Sequence, residues 1–139
     1  MNLLDSIGKG SANTGERMEI KNENGESFSE DVESNPFLIL LGKDSDSFRS
    51  EREKQDINGY LKRRDDEDYI KPLDEKSNDD IKLLSSCVIG WGNINNDDMP
   101  LDFNEENVKF LLQNSPILMD QIRVFITTRE NFLGKSQTA

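Results

Sequence analysis

The chain has 139 residues, enough for one domain; 33% of them are apolar, and the net charge at pH 7 is −11. A single cysteine and the lack of histidine exclude an intrachain disulfide, Ser-His-Asp and Cys-His catalysis, and histidine-ligated metals. The negative charge opposes binding to nucleic acid phosphates and to anionic membrane surfaces, so we expect no nucleic acid and no membrane as partners.

Hydropathy gives no sign of a membrane-spanning segment, which would need about 18–20 consecutive apolar residues. The longest apolar run is residues 37–41, which has the length of a strand. The first ten residues lack the basic start and the long apolar stretch of a signal peptide. We therefore expect a cytoplasmic protein.

The first third of the chain predicts a flexible arm followed by strands. Residues 1–16 are rich in glycine, serine and asparagine, which is typical of a flexible N-terminal arm, and residues 17–134 are expected to form one domain. Residues 18–21 alternate between apolar and polar, like a half-buried strand, and Asn24-Gly25 favours a turn. Residues 37–41 indicate a strand buried on both faces. The two strands would form an antiparallel hairpin or a small sheet.

The following segment predicts a helix and an acidic loop. Asp44 or Ser45 caps the helix, because a short side-chain acceptor satisfies the free amides of the first turn, and the helix runs to about Arg64. Residues 65–76 begin with four consecutive acids and are predicted to be a loop.

A third predicted helix is capped by Ser77 and ended by Gly90. Gly90 also opens a predicted loop over residues 90–100, which contains Trp91. The apolar face of this helix consists of residues at helical spacing: Ile81, Leu84, Cys87 and Val88.

The C-terminal third predicts two more helices. Asn104 caps the first, which ends near Asn114, and Ser115-Pro116 begins the second. Gly134 ends the second helix, and residues 135–139 are predicted to be a flexible tail. The sequence as a whole predicts an α+β fold, with a small N-terminal antiparallel sheet or hairpin followed by a mostly α-helical part. The apolar positions of the last helix are Leu118, Ile122, Phe125, Ile126, Phe132 and Leu133.

The sequence carries no catalytic or cofactor motif. Glycine-rich nucleotide loops and paired cysteines are absent. Residues 44–51 lack the glycine and the twelfth-position acid of a calcium loop, and the acids at 65–68 are typical of a solvated loop. Cys87 has no histidine to activate it and is expected to be a buried apolar residue. We therefore predict that the protein is not an enzyme and has no catalytic residue, cofactor or metal ion.

Two apolar features can belong either to the core or to an interface. Trp91 is a core anchor or a partner contact, since tryptophan is enriched at interface hot spots. The stripe on the last helix is core or a surface left for a partner. As core, Trp91, Phe103, Phe125 and Ile126 would pack with Leu84 and Val88. The candidate partner-binding residues are Trp91, Leu118, Ile122, Phe125, Arg129 and Phe132.

Short elements between residues 18 and 134 resemble, in order and spacing, those of the phage tail assembly chaperone-like proteins. The family element G-x-D-S-x-x-[FY]-R follows a strand and opens a helix, as predicted here. Later family elements are Gly-Trp, [PL]-x-F-[ST]-x-E-N, and P-x-[LI]-x-x-Q-I-x-x-F-x-x-x-[RA]-x-N-F. The corresponding residues are Gly42-Lys43-Asp44-Ser45, Phe48-Arg49, Gly90-Trp91, residues 100–107, Pro116-Ile117-Leu118, Gln121-Ile122, Phe125, Arg129 and Asn131-Phe132-Leu133.

This resemblance implies a non-enzymatic assembly factor of a long-tailed phage or prophage. Such a protein acts in the cytoplasm of the bacterial host and is not expected in the mature virion. The resemblance implies two partners: the tape measure protein, which it would coat, and the tail tube protein, which it would recruit. The alternative is a structural minor tail or head-to-tail connector protein retained in the virion, and a homo-oligomer remains open.

Overall fold

The computed structural model describes residues 3–134 and has the predicted α+β architecture, with a small antiparallel sheet followed by helices. Single turns of 3-10 helix lie at Val32–Ser34 and Arg129–Asn131. The other elements, in chain order, are α1 (Leu3–Ile7), β1 (Glu16–Glu19), β2 (Phe37–Leu40), α2 (Asp46–Asp65), α3 (Leu73–Ser85), β3 (Val88–Gly92), β4 (Asn95–Asn96), β5 (Met99–Pro100), α4 (Glu105–Asn114) and α5 (Pro116–Thr127).

The main sheet has three antiparallel strands in the order β1-β2-β3. Its register places Leu38 between Met18 and Trp91. Leu38 is buried, whereas Phe37 on the opposite face is half-buried beneath the Arg17 guanidinium, 3.7 Å from the ring centre. The prediction that β2 is buried on both faces is therefore wrong, because only one face of the sheet meets the core.

The third strand corrects the predicted helix that runs from Ser77 to Gly90. α3 begins directly after Pro72 and ends at Ser85, so Ser77 lies inside it, and the last two residues of the predicted apolar face leave the helix. The segment that follows is rich in β-branched and aromatic side chains, and β2 offers it a hydrogen-bonding partner. Gly90 therefore lies within a strand.

The loop predicted over residues 90–100 also contains a short ladder, in which β4 pairs with β5. Asp97 and Asp98 connect the two strands with φ angles of 51° and 65°. Two consecutive positive φ angles match the twist of a two-residue hairpin turn, and aspartate tolerates this conformation better than most residues. The Asp97-Asp98 pair is thus a turn.

Three of the four predicted N-terminal helix caps are confirmed, and the fourth, Ser77, lies inside α3. Ser45 caps α2, Asn104 caps α4 and Ser115 caps α5, each through a side-chain oxygen that accepts a backbone N–H of the first turn. The acidic loop is shorter than predicted and comprises residues 66–72, because the adjoining helices extend into it from both sides.

The predicted core is confirmed except at Phe103, which is 42% exposed. The other predicted core residues are buried or packed against the buried cluster: Leu84, Val88, Trp91, Phe125 and Ile126.

α5 ends at Thr127, before the predicted end at Gly134, and a 3-10 turn then returns the chain to the core.

The N-terminal segment is held against the C-terminal one, which differs from the arm predicted over residues 1–16. The Ser11 N–H donates to the Phe132 carbonyl at 2.8 Å, and the Ala12 carbonyl accepts the Gly42 N–H at 3.0 Å. Ala12 is buried. The ordered domain therefore begins before residue 17, and the predicted tail, residues 135–139, lies outside the described residues.

Candidate functional site

Three of the six candidate partner-binding residues are core residues. Leu118, Ile122 and Phe132 are each at most 6% exposed, since the face of α5 that carries the first two packs inward and the third packs against Gly42 and the Phe125 ring. Buried side chains offer a partner almost no surface, and of these three only Leu118 lines the apolar cavity described below. The three that keep exposed atoms are Trp91, Phe125 and Arg129.

Trp91 is half-buried and is held from two sides. Its Nε1–H donates to the Leu101 carbonyl at 2.9 Å, and its ring meets the Phe103 ring edge-to-face, with centroids 5.2 Å apart. Edge-to-face geometry is the favoured arrangement of two aromatic rings. These contacts tie β3 to the segment that follows the β4–β5 hairpin, so Trp91 acts as an anchor within the fold.

Arg129 pairs with Asp44 across 85 residues of sequence. Its Nε and Nη2 atoms donate to the two carboxylate oxygens of Asp44 at 2.8 and 3.1 Å, a two-pronged geometry that fixes both side chains. This hydrogen bonding holds the pKa of the Asp44 carboxyl below its ordinary value of 3.8. The pair joins the start of α2 to the turn that follows α5.

Backbone contacts beside this pair complete what we call the 42–45 corner, residues 42–45 with the turn that follows α5. The Lys43 N–H donates to the Ile126 carbonyl at 3.0 Å. Gly42 lies under the Phe132 ring, where an added Cβ would be 3.1 Å from the nearest ring carbon. Ser45 is fully buried as the α2 cap. The corner therefore depends on the small size of residue 42 and on the Ser45 hydroxyl.

The Asp44–Arg129 pair predicts a pH-dependent stability. Because folding lowers the pKa of Asp44, its ionised carboxylate adds to the free energy of unfolding. This contribution is complete well above pH 3.8 and is lost as the pH falls through the lower pKa of the folded state. We expect Asp44→Asn to melt at a slightly lower temperature than the native chain at neutral pH, with the difference shrinking as the pH falls below 3.8 and also in about 1 M salt. Glu67→Gln, the same charge change at an exposed residue of the loop after α2, is the control. A pH-independent difference would contradict the pairing.

An open apolar cavity of about 480 Å³ lies where the β1–β2 connection meets the junction of α4 and α5. We call it the α5 groove. Phe28, 57% exposed, and Ile117, 48% exposed, are the most accessible of its apolar side chains. The full set of apolar lining residues is Ile20, Phe28, Pro36, Ile94, Leu111, Ile117 and Leu118.

The loop that carries Phe28 is pinned at several points. The Asn22 carboxamide oxygen accepts the N–H groups of Asn24 and Glu26, which closes the predicted Asn-Gly turn. The Asn35 amide donates to the Ser29 carbonyl at 2.9 Å, and the Asn93 amide donates to the Glu33 carbonyl at 2.7 Å. These bonds hold the loop in place around Phe28.

The same loop is strongly acidic, and no lysine or arginine occurs between residues 22 and 42. The α5 groove therefore joins exposed apolar surface to concentrated negative charge. The acids of the loop are Glu23, Glu26, Glu30, Asp31 and Glu33.

Of the predicted partner-binding residues only Leu118 lines this groove, and its two most exposed apolar residues were not predicted. Phe28 is a lone aromatic residue in a polar segment, and Ile117 follows the helix start, so neither belongs to a periodic pattern. The sequence held one signal: Phe28 is a large apolar residue in an acidic segment, and exposing such a side chain to solvent is costly unless a partner covers it.

Cys87 and one further cavity are the other features of the described residues that bear on chemistry. Burial raises the pKa of the Cys87 thiol to about 11, so the thiolate that would react is scarce at neutral pH. A second cavity of about 530 Å³ contains Lys54, Lys82 and Lys109, but Glu51 and Glu105 share it and offset their charge. No group of three or more carboxylate or cysteine side chains suited to a metal ion occurs within residues 3–134.

The chain matches no known family model, no curated protein and no solved structure. Over the described part of the chain, no helix is both long and apolar enough to cross a bilayer. The 42–45 corner and the α5 groove are therefore interpreted from their own geometry and charge.

Proposed function

We propose that the protein is a non-enzymatic phage tail assembly chaperone that binds the tape measure protein and helps to recruit tail tube subunits. It would act in the cytoplasm of the bacterial host and leave before the virion is complete. Tape measure proteins are long, helical and apolar on one face, so they need a cover until the tail tube encloses them.

The 42–45 corner is the observation that carries the proposal. The resemblance rests on separate short elements, and the corner brings the first and the last of them into contact. Asp44 of the first bonds to Arg129 of the last, and Gly42 lies under Phe132. Contact between these elements is what a shared fold would require, and it supports the resemblance.

The surface supports a binding role. The α5 groove offers exposed apolar side chains on a hydrogen-bonded framework, which suits recognition of an apolar partner face. The net charge of −11 would keep a complex with an apolar protein dissolved.

The test is co-expression with the tape measure protein of the same source. We expect the tape measure protein to move into the soluble fraction and to co-purify with the tagged chain. An unrelated acidic protein of similar size is the control, because negative charge alone can raise solubility. A tape measure protein that stays insoluble in both cases would overturn the proposal.

A second measurement separates the chaperone from a structural tail or connector protein. Purified virions are analysed for this chain by mass spectrometry. The chaperone proposal expects none, whereas a fixed number of copies in each particle would establish the structural alternative.

A further inference from the structure

We propose that the α5 groove, together with the cavity beside it, binds an amphipathic α-helix whose apolar face is flanked by lysine or arginine. The identity of the partner, the tape measure protein, rests on the proposed function. The chemistry of the bound segment is argued from the groove alone.

The apolar surface continues past the α5 groove along α5. A further open cavity of about 420 Å³ is lined by Met18, Val124 and Phe125. Gln121 lines both this cavity and the α5 groove. Ile117 and Val124, both exposed, are seven positions apart on α5, which is two turns or about 10 Å. A bound helix can therefore place two apolar side chains, two of its own turns apart, in the two cavities.

The backbone between the cavities favours a helix over a strand. The Gln121 carboxamide accepts the Lys21 N–H and donates to the Lys21 carbonyl, both at 2.9 Å. The backbone just beyond β1 is thus already bonded and cannot pair with an added strand at this point. A segment that satisfies its own backbone groups, as a helix does, loses nothing by binding here.

The charge around the cavities specifies the flanks of the helix. Glu19, Glu23 and Asp120 are among the lining residues. Lys21 bonds to Glu19 at 2.7 Å and Arg123 bonds to Asp120 at 3.1 Å, so each of these acids is largely offset by its neighbour. The negative charge offered to a partner therefore comes from Glu23 and from the acidic loop beside it, which attract a basic segment and repel a second copy of this acidic chain.

The test uses the full chain and a synthetic helical peptide of about 16 residues, with leucines along one face and lysines beside them. Binding is measured by fluorescence anisotropy of the labelled peptide. We expect about tenfold weaker binding for a scrambled peptide and for one with glutamate in place of lysine.

Matched variants locate the binding site. Ile117→Ser should weaken peptide binding about tenfold, because it removes apolar area from the groove, whereas Phe110→Ser should leave it unchanged. Both native side chains are 48% exposed, and Phe110 does not line the groove. Glu23→Lys should likewise weaken binding, and Glu67→Lys, the same charge change in the distant acidic loop, should not.

Equal effects of the two serine variants would overturn the proposal. So would a dimer of the native chain that Ile117→Ser dissociates, because a second copy would then fill the groove. Co-expression separates the two proposals: a native chain that fails to solubilise the tape measure protein defeats the proposed function while the peptide result stands. If Ile117→Ser solubilises it as well as the native chain does, the groove is not its binding site, although the function survives.

Discussion

Replacing Ile122 by alanine is expected to destabilise the fold by about 2–5 kcal/mol, the range for large-to-small changes in a packed core. Ile122 is fully buried on the inner face of α5, so the lost methyl and methylene groups leave a cavity that neighbouring helices cannot fill without moving. Urea unfolding followed by circular dichroism measures the loss.

Val124→Ala provides the control for Ile122→Ala within the same helix. Val124 is 66% exposed, so its truncation should change the stability by less than about 0.5 kcal/mol. Similar losses for the two variants would mean that the face of α5 bearing Ile122 does not point toward the core. The burial of Leu118, which lies on the same face, would then also be wrong.

Replacing Trp91 by alanine should cost about 3 kcal/mol, the lower end of the range for tryptophan truncation, because the side chain is half-buried. The change removes both the edge-to-face contact with Phe103 and the hydrogen bond to the Leu101 carbonyl. Thermal and urea unfolding of the variant measure the cost.

Trp91→Phe separates the two contributions at Trp91. It keeps an aromatic ring near Phe103 but leaves the Leu101 carbonyl without its donor, so we expect a loss of about 1–2 kcal/mol. Unchanged stability of Trp91→Ala would instead assign this residue to a partner interface, the alternative that the sequence left open.

The starts of α2, α4 and α5 were predictable because their causes are local. Ser45, Asn104 and Ser115 each satisfy a backbone N–H only three residues further along the chain, so the signal is contained in a few adjacent letters. The Asn-Gly turn before β2 is local in the same way. The α+β class follows from these starts and from the short apolar run of β2.

The third strand was not predictable by the same means. Ile81 and Leu84 share a helical spacing that continues to Val88, and nothing in that pattern marks where the helix ends. The change to a strand occurs because β2, about 50 residues earlier, supplies hydrogen-bonding groups that residues 88–92 can pair with. Such a partner is a property of the folded chain.

The same distinction between local features and contacts of distant residues applies to the candidate site. Arg129 was singled out from the sequence, but its partner Asp44 lies 85 residues away, and the contact between them is visible only in the fold. Ile122 and Phe132 were possible surface residues until packing placed them inside. Phe28 and Ile117 carried no pattern, and they form a groove because the β1–β2 connection folds back onto α5.

The sequence by itself determined the composition limits, the caps of α2, α4 and α5, the turn at Asn24-Gly25 and the α+β class, because these depend on residue types and on neighbours a few positions apart. Tertiary structure alone decided the end of α3, the third strand, the packing of residues 11–12 against Phe132 and the position of the α5 groove. The physical reason is that an apolar residue looks the same in the sequence whether the fold buries or exposes its side chain. Which of the two it becomes is fixed by distant segments, which compete to cover it when the chain folds.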